Sequence, residues 1–417
     1  MEKISVRGGA RLCGQTYISG MKNSALPVIF ATLLIEDECV IHNVPRVSDI
    51  ENAIKILVKM GATAYFASEH TLIINCKAVK GNPSEHSLIS KMRASSYLMG
   101  AMLARFGECI LPLPGGCNFG KRPIDTHLMG FSMLGADCYE GEELISLKST
   151  KTLKSGKIPL DKISVGATIN MVLASVFLEG ETEIYNVARE PHVDDLISFL
   201  NNAGANIRRS GEKIVVKGVK KLHGCEYRIF PDMIEALTFI TYLGTTGGEI
   251  LLDGTENSHL EYVNSIFLGM NFDIKAYKNR LYVKSNEIFG TSVTTAPYPF
   301  FPTDLHPQFV AMLCYAKGGG SVREDVFPTR FAYINELKKM GAKIKLSGNR
   351  VDVSQGELNG ASLDATDLRA GAALICASLG ASGESTINNV NYIVRGYENV
   401  VEKVASLGGK IKYIKGE

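Results

Sequence analysis

A single cysteine, Cys117, lies in a segment of glycines, prolines and cations that spans residues 114–123 and reads PGGCNFGKRP. Glycine lets a backbone approach a ligand closely, and cations such as Lys121 and Arg122 favour the thiolate and lower the pKa of a neighbouring cysteine. This composition is typical of a reactive loop for an anionic substrate. A surface turn with an incidental cysteine has the same composition, and the segment alone does not decide between the two.

Cations also stand at the predicted starts and ends of helices. Lys22 and Asn23 precede the apolar segment ALPVIF, where a helix N-terminus would favour an anion. Arg93 opens the apolar segment RASSYLMGAMLARFG, and Arg395 stands in VRGYE. An arginine binds phosphate or carboxylate with two parallel hydrogen bonds. Each of these residues could equally be a solvated cation beside a helix.

Asp304 ends the segment PYPFFPTD, where a carboxylate could act as a general base. Aromatic and proline neighbours would partly desolvate the carboxylate, which predicts a raised pKa. Thr303 and Asp304 also precede the apolar run LHPQFVAML, so either could cap the N-terminus of a helix. The two interpretations are compatible with each other.

The composition excludes several classes of protein. The 417 residues carry 45 Lys and Arg against 43 Asp and Glu, which argues against a general nucleic-acid binder. No apolar run reaches the roughly 18 residues of a membrane span. Nine cysteines without a CxxC pair argue against a disulfide framework and a zinc site. We expect a soluble, cytoplasmic protein that needs no metal, cofactor, nucleic acid or membrane; its oligomeric state is not predicted.

The chain repeats itself six times. A Gly-Ala turn or a close variant ends a helical pattern at Gly61, Gly135, Gly204, Gly269, Gly341 and Gly408. A short β-rich segment recurs at the same interval, centred on Val40, Ile110, Ile184, Ile250, Val322 and Ile387. Self-similarity at a fixed period indicates a repeat architecture. We therefore predict six α/β units of about 70 residues, divided into two domains of three.

Each unit contains both helix and hairpin. Residues 331–353 place Ile334, Leu337 and Met340 on one helical face, followed by alternating strands around a Ser-Gly-Asn turn. The segments 168–180 and 368–381 are apolar nearly all round, which is typical of buried helices. This predicts domains with helices inside and sheets outside, and a ligand site between the two domains.

Eight motifs in chain order resemble those of the UDP-N-acetylglucosamine enolpyruvyl transferases of the EPSP synthase-like superfamily. They are ISGMKNSALP (18–27), KMRASSYLMG (91–100), PGGCNFGKRPIDTH (114–127), SVGATINM (164–171), AREP (188–191), FPTD (301–304), DLRA (367–370) and RGYE (395–398). The resemblance implies two inside-out α/β barrels, one formed by residues 22–229 and the other by 1–21 with 230–417. It also implies an active site in the cleft between them.

The resemblance further implies a reaction. The enolpyruvyl group of phosphoenolpyruvate would pass to the 3-hydroxyl of UDP-N-acetylglucosamine with release of phosphate, the first committed step of peptidoglycan synthesis. Cys117 would donate a proton to carbon 3 or add covalently, and fosfomycin would alkylate it. Asp304 would be the base for the sugar hydroxyl, and Lys22 the third catalytic residue.

Binding residues also follow from the resemblance. Phosphoenolpyruvate would contact Lys22, Asn23, Arg93, Arg122 and Arg395. UDP-N-acetylglucosamine would contact Arg93, Arg122, Pro123, Ile124, Asp125, Thr126, Lys162, Ser164, Val165, Gly166, Asp304 and Val326. The residues expected to support the site are Arg330, Arg369, Glu190, Asp232 and His127. Met233 stands where many members of the family carry a cation.

Two alternatives stay open. The first is a sister enolpyruvyl transferase that acts on shikimate 3-phosphate; the Cys117 segment and the stretches RPID and SVGAT argue against it. The second is a catalytically silent paralogue that binds a UDP-sugar. Intact Cys117, Asp304 and Lys22 argue against that alternative.

Overall fold

The structure, a computed structural model, describes residues 2–83, 86–113, 115, 124–150 and 152–415. These residues form two compact units. The N-terminal unit comprises the described residues of 20–116 and 121–230, and the C-terminal unit comprises those of 1–19 and 231–417.

Short strands run through both units. The first are β1 (Glu2–Arg7), β2 (Leu12–Tyr17), β3 (Cys39–His42), β4 (Thr63–Ser68), β5 (Thr71–Asn75), β6 (Glu108–Pro112), β7 (Asp137–Glu140), β8 (Leu144–Lys148), β9 (Lys157–Pro159), β10 (Glu181–Tyr185), β11 (Asn206–Ser210), β12 (Lys213–Lys217) and β13 (Glu226–Arg228). The others are β14 (Gly248–Asp253), β15 (Asp273–Tyr277), β16 (Arg280–Ser285), β17 (Ser292–Thr294), β18 (Gly320–Arg323), β19 (Lys343–Ser347), β20 (Arg350–Ser354), β21 (Ser362–Asp364), β22 (Glu384–Asn388) and β23 (Lys410–Lys415).

Helices alternate with these strands. The α-helices are α1 (Lys22–Ala31), α2 (Ser48–Lys59), α3 (His86–Ile89), α4 (Leu98–Phe106), α5 (Asp125–Met133), α6 (Val165–Ser175), α7 (Pro191–Asn202), α8 (Met233–Thr246), α9 (Glu261–Gly269), α10 (His306–Leu313), α11 (Tyr333–Lys339), α12 (Leu368–Gly380) and α13 (Val400–Ser406). Short 3₁₀ helices span Thr32–Leu34, Arg93–Tyr97, Asn257–His259 and Val390–Arg395.

The N-terminal unit has three sheets, with strand orders β13-β3-β5-β4, β6-β8-β7 and β11-β12-β10-β9. Each contains an antiparallel hairpin (β4-β5, β7-β8 or β11-β12) that pairs with an earlier antiparallel strand, β3, β6 or β10. The apolar helices α1, α4 and α6 belong to successive repeats, and α4 packs directly against α6. Helix α6 is buried from Ala167 to Ser175, as its all-round apolar sequence predicts.

The C-terminal unit has three four-stranded sheets, with orders β15-β16-β14-β2, β17-β18-β20-β19 and β21-β22-β1-β23. The first two strands of the chain complete two of these sheets: β1 lies antiparallel between β22 and β23, and β2 runs parallel to β14. Helices α8, α10 and α12 pack against one another and are buried over most of their length. In both units, therefore, the apolar helices form the buried part of the repeats.

The repeat turns agree with the sequence except in the fourth unit. Gly61, Gly135, Gly204, Gly341 and Gly408 have positive φ angles between 92° and 107°. In the fourth unit, however, Gly269 is the last residue of α9, and Asn271 holds the positive φ, at 76°. The prediction of Gly269 as the turn residue was therefore wrong. In this unit Asn271 takes the place that glycine has in the other repeats, because asparagine also tolerates the left-handed conformation.

Among the described residues, no helix has both the length and the apolar character needed to cross a membrane.

Candidate active site

Lys22 occupies the first turn of α1 and has an acidic partner that the sequence did not reveal. Its Nζ donates a hydrogen bond to Asp49 Oδ2 at 3.0 Å, and the two side chains are 12% and 5% exposed. Asp49 lies in the first turn of α2, and Asn23, next to Lys22, is half-buried. The N-cap of α1 is Met21, whose side chain makes no cap hydrogen bond with the first turn. A cation therefore stands beside helix amides that favour an anion.

A buried imidazole, His127, connects α5 with α6. Asn170 of α6 accepts a hydrogen bond from Gly100 N at 2.8 Å and donates one to Ser96 O at 3.0 Å, which fixes the orientation of its amide. The remaining Nδ2 hydrogen points at His127 Nδ1, 2.9 Å away. Nδ1 is therefore the acceptor, and a neutral His127 carries its proton on Nε2.

His127 is neutral for a clear physical reason. Burial, followed by the positive charges of Arg93 and Lys162, lowers its pKa to about 3. Those two cations therefore lie within electrostatic range of the same ring, although they are 69 residues apart in the sequence. Arg93 begins the 3₁₀ helix Arg93–Tyr97 and not the long α-helix that its sequence suggested. The α-helix follows as α4.

Among the described residues of this unit, the remaining predicted nucleotide-sugar contacts lie around the starts of α5 and α6. Thr126 donates to Asp161 Oδ1 at 2.6 Å, and Asp125, in the first turn of α5, is exposed. Ser164 caps α6 by accepting from Ala167 N at 3.3 Å. The sequence predicted none of these hydrogen bonds, because they join separate segments or depend on local backbone geometry.

Gly166 brings the start of α6 against His127. A Cβ atom at Gly166 would lie only 2.8 Å from His127 Cε1, so the close approach requires glycine. Ile124 is buried, and Val165 and Gly166 are half-buried. We name as the His127 cluster the residues Arg93, Thr126, His127, Lys162, Gly166 and Asn170.

In the C-terminal unit, two buried arginines hold Asp304. Arg330 Nη1 donates to Oδ1 at 2.8 Å, and Arg369 Nη2 donates to Oδ2 at 2.9 Å. Both arginines are 4% exposed, whereas the Asp304 side chain is 28% exposed. The carboxylate is thus fixed by its buried partners and remains accessible from one side.

Two expectations about Asp304 were wrong. Burial raises the pKa of the carboxyl, but the positive charges and hydrogen bonds of Arg369 and Arg330 outweigh burial and hold the pKa well below its ordinary value. The helix-cap interpretation also fails, because α10 begins at His306 with Leu305 as its N-cap and without a side-chain cap. The pKa was predicted from the aromatic and proline residues that flank Asp304. That local sequence does not reveal the two arginines, which come from later in the chain.

Tyr397 positions one of these arginines. Its hydroxyl accepts from Arg369 Nη1 at 2.9 Å and from Gln308 Nε2 at 2.9 Å, and it lies 3.0 Å from Thr238 Oγ1. Burial raises the pKa of Tyr397, although Arg369 opposes the shift, so the phenol is neutral. Gln308 also donates to the backbone oxygen of Asp304 at 3.1 Å.

Other predicted residues lie at helix ends. Arg395 is the last residue of the 3₁₀ helix Val390–Arg395 and is half-buried. Asp232 caps α8 by accepting from Ile234 N at 2.8 Å, and Met233 is the first residue of that helix. Glu190 is the N-cap residue of α7, without a side-chain cap hydrogen bond.

The predicted residues Cys117, Arg122 and Pro123 lie outside the described residues. Cys314 and Cys376, which stand in apolar segments, are both buried. Burial raises the pKa of Cys314 to about 12 and raises that of Cys376 further.

Comparison with known proteins defines the class. The chain belongs to the EPSP synthase (3-phosphoshikimate 1-carboxyvinyltransferase) family, whose model matches residues 6–404. The crystal structure of the enolpyruvyl transferase NikO from Streptomyces tendae superimposes with a TM-score of 0.90, at 22% identity, over 100% of this chain and 99% of that one. The predicted enolpyruvyl transferase fold is confirmed.

Within this family, the resemblance to one group of enzymes is also confirmed. The chain is 41% identical over 418 residues to UDP-N-acetylglucosamine 1-carboxyvinyltransferase 3 of Caldanaerobacter subterraneus subsp. tengcongensis, and both chains are covered completely. It is 41% identical over 417 residues to UDP-N-acetylglucosamine 1-carboxyvinyltransferase of Halothermothrix orenii, again over the full length of both.

Proposed function

We propose that this chain transfers the enolpyruvyl group of phosphoenolpyruvate to the 3-hydroxyl of UDP-N-acetylglucosamine and releases phosphate, as the first committed step of peptidoglycan synthesis. The observation that carries the proposal is the full-length identity of about 40% to relatives that bear the name of this activity. Both substrates are small, soluble anions, so the enzyme works in the cytoplasm and requires no nucleic-acid or membrane partner.

Phosphoenolpyruvate carries a phosphate and a carboxylate, and its binding requires several cations. We assign this role to Lys22, Arg93, Arg122 and Arg395, with Asn23 as a neutral donor. The position of Lys22 in the first turn of α1 supports the assignment, since the amides of a helix N-terminus also attract an anion. Asp49 restrains the flexible lysine side chain, which reduces the entropy lost on binding.

The His127 cluster supports a nucleotide-sugar site. Arg93 and Lys162 supply positive charge, and His127 supplies a neutral Nε2–H donor. The segments 124–126 and 164–166, together with Pro123 and Val326, complete the contacts that we assign to UDP-N-acetylglucosamine. A neutral imidazole near two cations can donate a hydrogen bond to the ligand without adding a third positive charge that would repel them.

The reaction joins the sugar oxygen to carbon 2 of phosphoenolpyruvate and adds a proton to carbon 3. Elimination then removes phosphate from carbon 2 and a proton from carbon 3. Cys117 is the acid for the first proton transfer, and Asp304 accepts the proton of the sugar hydroxyl. Because Arg369 and Arg330 hold the pKa of Asp304 low, its carboxylate is a weak base toward an unreacted sugar hydroxyl. It acts as the oxygen–carbon bond forms, when the hydroxyl becomes far more acidic.

A phosphate-release assay with alternative acceptors tests the function. The purified chain is incubated with phosphoenolpyruvate and either UDP-N-acetylglucosamine or shikimate 3-phosphate. Phosphate release only in the reaction that contains UDP-N-acetylglucosamine supports the proposal. Phosphate release only in the reaction that contains shikimate 3-phosphate contradicts it. Binding of the nucleotide sugar without phosphate release from either acceptor would identify a silent paralogue.

A further inference from the structure

A fully buried carboxylate lies behind the segment that carries Asp304. Glu324 directly follows β18, and its side chain is 0% exposed. A charge removed from water in this way is costly unless it is paired or well hydrogen-bonded. The hydrogen-bond partners of Glu324 therefore indicate which parts of the structure its carboxylate holds together.

Five groups from three segments of the described chain surround this carboxylate. Oε1 accepts from Thr295 Oγ1 at 2.8 Å, from Val326 N at 2.9 Å and from Phe327 N at 2.8 Å. Oε2 accepts from Thr303 Oγ1 at 2.8 Å and lies 3.0 Å from His306 Nδ1. Both oxygens are thus used: Oε1 joins the Thr295 segment to the Val326–Phe327 segment, and Oε2 contacts the segment 303–306.

The carboxylate is ionised in the folded protein. Burial raises the pKa of Glu324, but His306, the amide of Phe327 and the hydroxyl of Thr295 outweigh burial and lower it overall. Burial lowers the pKa of His306, although Glu324 opposes the shift, so the ring is neutral. Its Nε2 lies 2.8 Å from the hydroxyl of Tyr333, and its Nδ1 faces the carboxylate. The 3.0 Å contact between Nδ1 and the carboxylate is close but is not aligned as a hydrogen bond.

This network connects two residues assigned to the nucleotide sugar. Thr303 precedes Asp304, and Arg330 Nη1 contacts Thr303 O at 3.0 Å as well as Asp304 Oδ1 at 2.8 Å. Val326 lies on the other side of the carboxylate, where its amide is held directly. One side chain thus holds the Val326 backbone directly and the Asp304 segment through the Thr303 hydroxyl.

We infer that Glu324 is a positioning residue for the transfer: its carboxylate holds the Asp304 segment and the Val326 segment in one fixed arrangement, so that the sugar is bound with its hydroxyl against the base. The inference rests on the proposed function. Glu324 itself lies behind these segments and acts through them.

The substitution Glu324→Gln tests this role. Glutamine keeps the shape but has one acceptor oxygen and a donor amide, so at least one of Thr303 and the Val326–Phe327 amides loses its partner. Misplacement of a reacting group by about 1 Å costs on the order of 10²-fold in rate. We expect kcat to fall roughly 10- to 100-fold and the Kd for UDP-N-acetylglucosamine, measured by calorimetry, to rise several-fold.

Glu336→Gln is the matched control. Glu336 is also largely buried in the C-terminal unit and accepts hydrogen bonds from Asp364 N at 2.9 Å and Lys339 Nζ at 2.7 Å. Its loss removes the same chemical group from a different location. We expect a lower melting temperature but a kcat and sugar Kd within about twofold of the unsubstituted enzyme, because the hydrogen bonds of Glu336 hold neither the Asp304 segment nor the Val326 segment.

Thr303→Val provides a second test should Glu324→Gln fail to fold. It removes the Thr303 hydroxyl, which donates to Glu324 Oε2 and accepts from Arg330 Nη1 at 3.2 Å, on the Asp304 side only, so kcat should fall while the sugar Kd stays unchanged. The inference is overturned if folded Glu324→Gln keeps normal kcat and Kd, if Glu336→Gln lowers kcat equally, or, where Glu324→Gln does not fold, if Thr303→Val keeps normal kcat. An unsubstituted enzyme without activity toward UDP-N-acetylglucosamine overturns both this inference and the proposed function.

Discussion

Replacing Asp304 with asparagine removes one negative charge that faces two buried positive charges. Arg330 and Arg369 contact the carboxylate at 2.8 and 2.9 Å, and both are 4% exposed. Asparagine keeps the size of the side chain but can accept on one oxygen only, and its amide group would point a donor at an arginine. The substitution therefore removes the base and disturbs both of its partners.

The structure sets the expected magnitudes. Removing one member of a buried ion pair costs about 3–5 kcal/mol, and the 28% exposure of Asp304 favours the lower end. In a unit of this size about 3 kcal/mol corresponds to a decrease in melting temperature of about 6–12 °C. Loss of general-base assistance lowers kcat by about 10²- to 10⁴-fold, whereas the Kd for UDP-N-acetylglucosamine should change only several-fold.

The pH dependence gives an independent check. The folded-state pKa of Asp304 lies below its ordinary value of 3.8, so the stability that it contributes is present above pH 4 and is lost as the pH falls through the folded-state value. An acidic limb of kcat between pH 5 and 8 must therefore come from another group. If the limb disappears in Asp304→Asn, the assigned direction of the pKa shift is wrong.

The assay compares kcat, sugar Kd and melting temperature in the unsubstituted enzyme, Asp304→Asn and a control, Asp352→Asn. Asp352 pairs with Arg350 at 2.8 Å on the surface, where the side chains are 44% and 56% exposed. Such exposed pairs contribute about 0–1 kcal/mol, so the control should match the unsubstituted enzyme. A nearly unchanged kcat in Asp304→Asn would remove Asp304 from the catalytic residues, and an unchanged melting temperature would refute the pairing with the two arginines.

Three further predictions concern the N-terminal unit and the Cys117 segment. Fosfomycin, an epoxide phosphonate, is expected to alkylate Cys117, and Cys117→Asp should keep activity yet resist the drug; peptide mapping that finds inactivation through another cysteine would contradict this. Lys22→Gln should weaken phosphoenolpyruvate binding about 10-fold or more through loss of a charge-assisted contact and should destabilise the protein by removing the ion pair between Lys22 and the buried Asp49. The double variant Lys22→Gln/Asp49→Asn should regain stability but not affinity, and recovery of affinity would refute a direct role for Lys22. His127 should remain neutral at pH 5 by NMR, because its pKa falls from 6.5 to about 3 on folding; its contribution to stability is therefore lost as the pH decreases from 6.5 towards 3, and a ring that titrates near 6.5 would exclude the burial described above.

Periodicity was sufficient to predict the six repeats, because each requires a buried helix, a central strand and a tight turn. The central residues Val40, Ile184 and Val322, for example, lie in β3, β10 and β18 as predicted. The fourth turn was misplaced because asparagine and glycine both adopt positive φ, and a glycine happened to stand two residues before Asn271. Local patterns thus predict elements well and their ends less well.

The electrostatics of the candidate site could not be predicted, because they depend on contacts between distant segments. Arg369 lies 65 residues after Asp304, and its charge reverses the pKa shift that the neighbouring sequence suggested. Asp49 and Glu324 gave no signal at all: each is one acid among 43, and only the fold brings it to Lys22 or to Thr303.

The central claim is that the enolpyruvyl group is attached to the 3-oxygen of the sugar. The most direct measurement is NMR and mass spectrometry of the product formed from phosphoenolpyruvate and UDP-N-acetylglucosamine by the purified enzyme. We expect one equivalent of phosphate and a product with an enol ether at the 3-oxygen. The position of the ether is identified by NMR coupling of the vinyl carbon to the proton on sugar carbon 3. Unchanged UDP-N-acetylglucosamine under conditions where shikimate 3-phosphate is converted would contradict it.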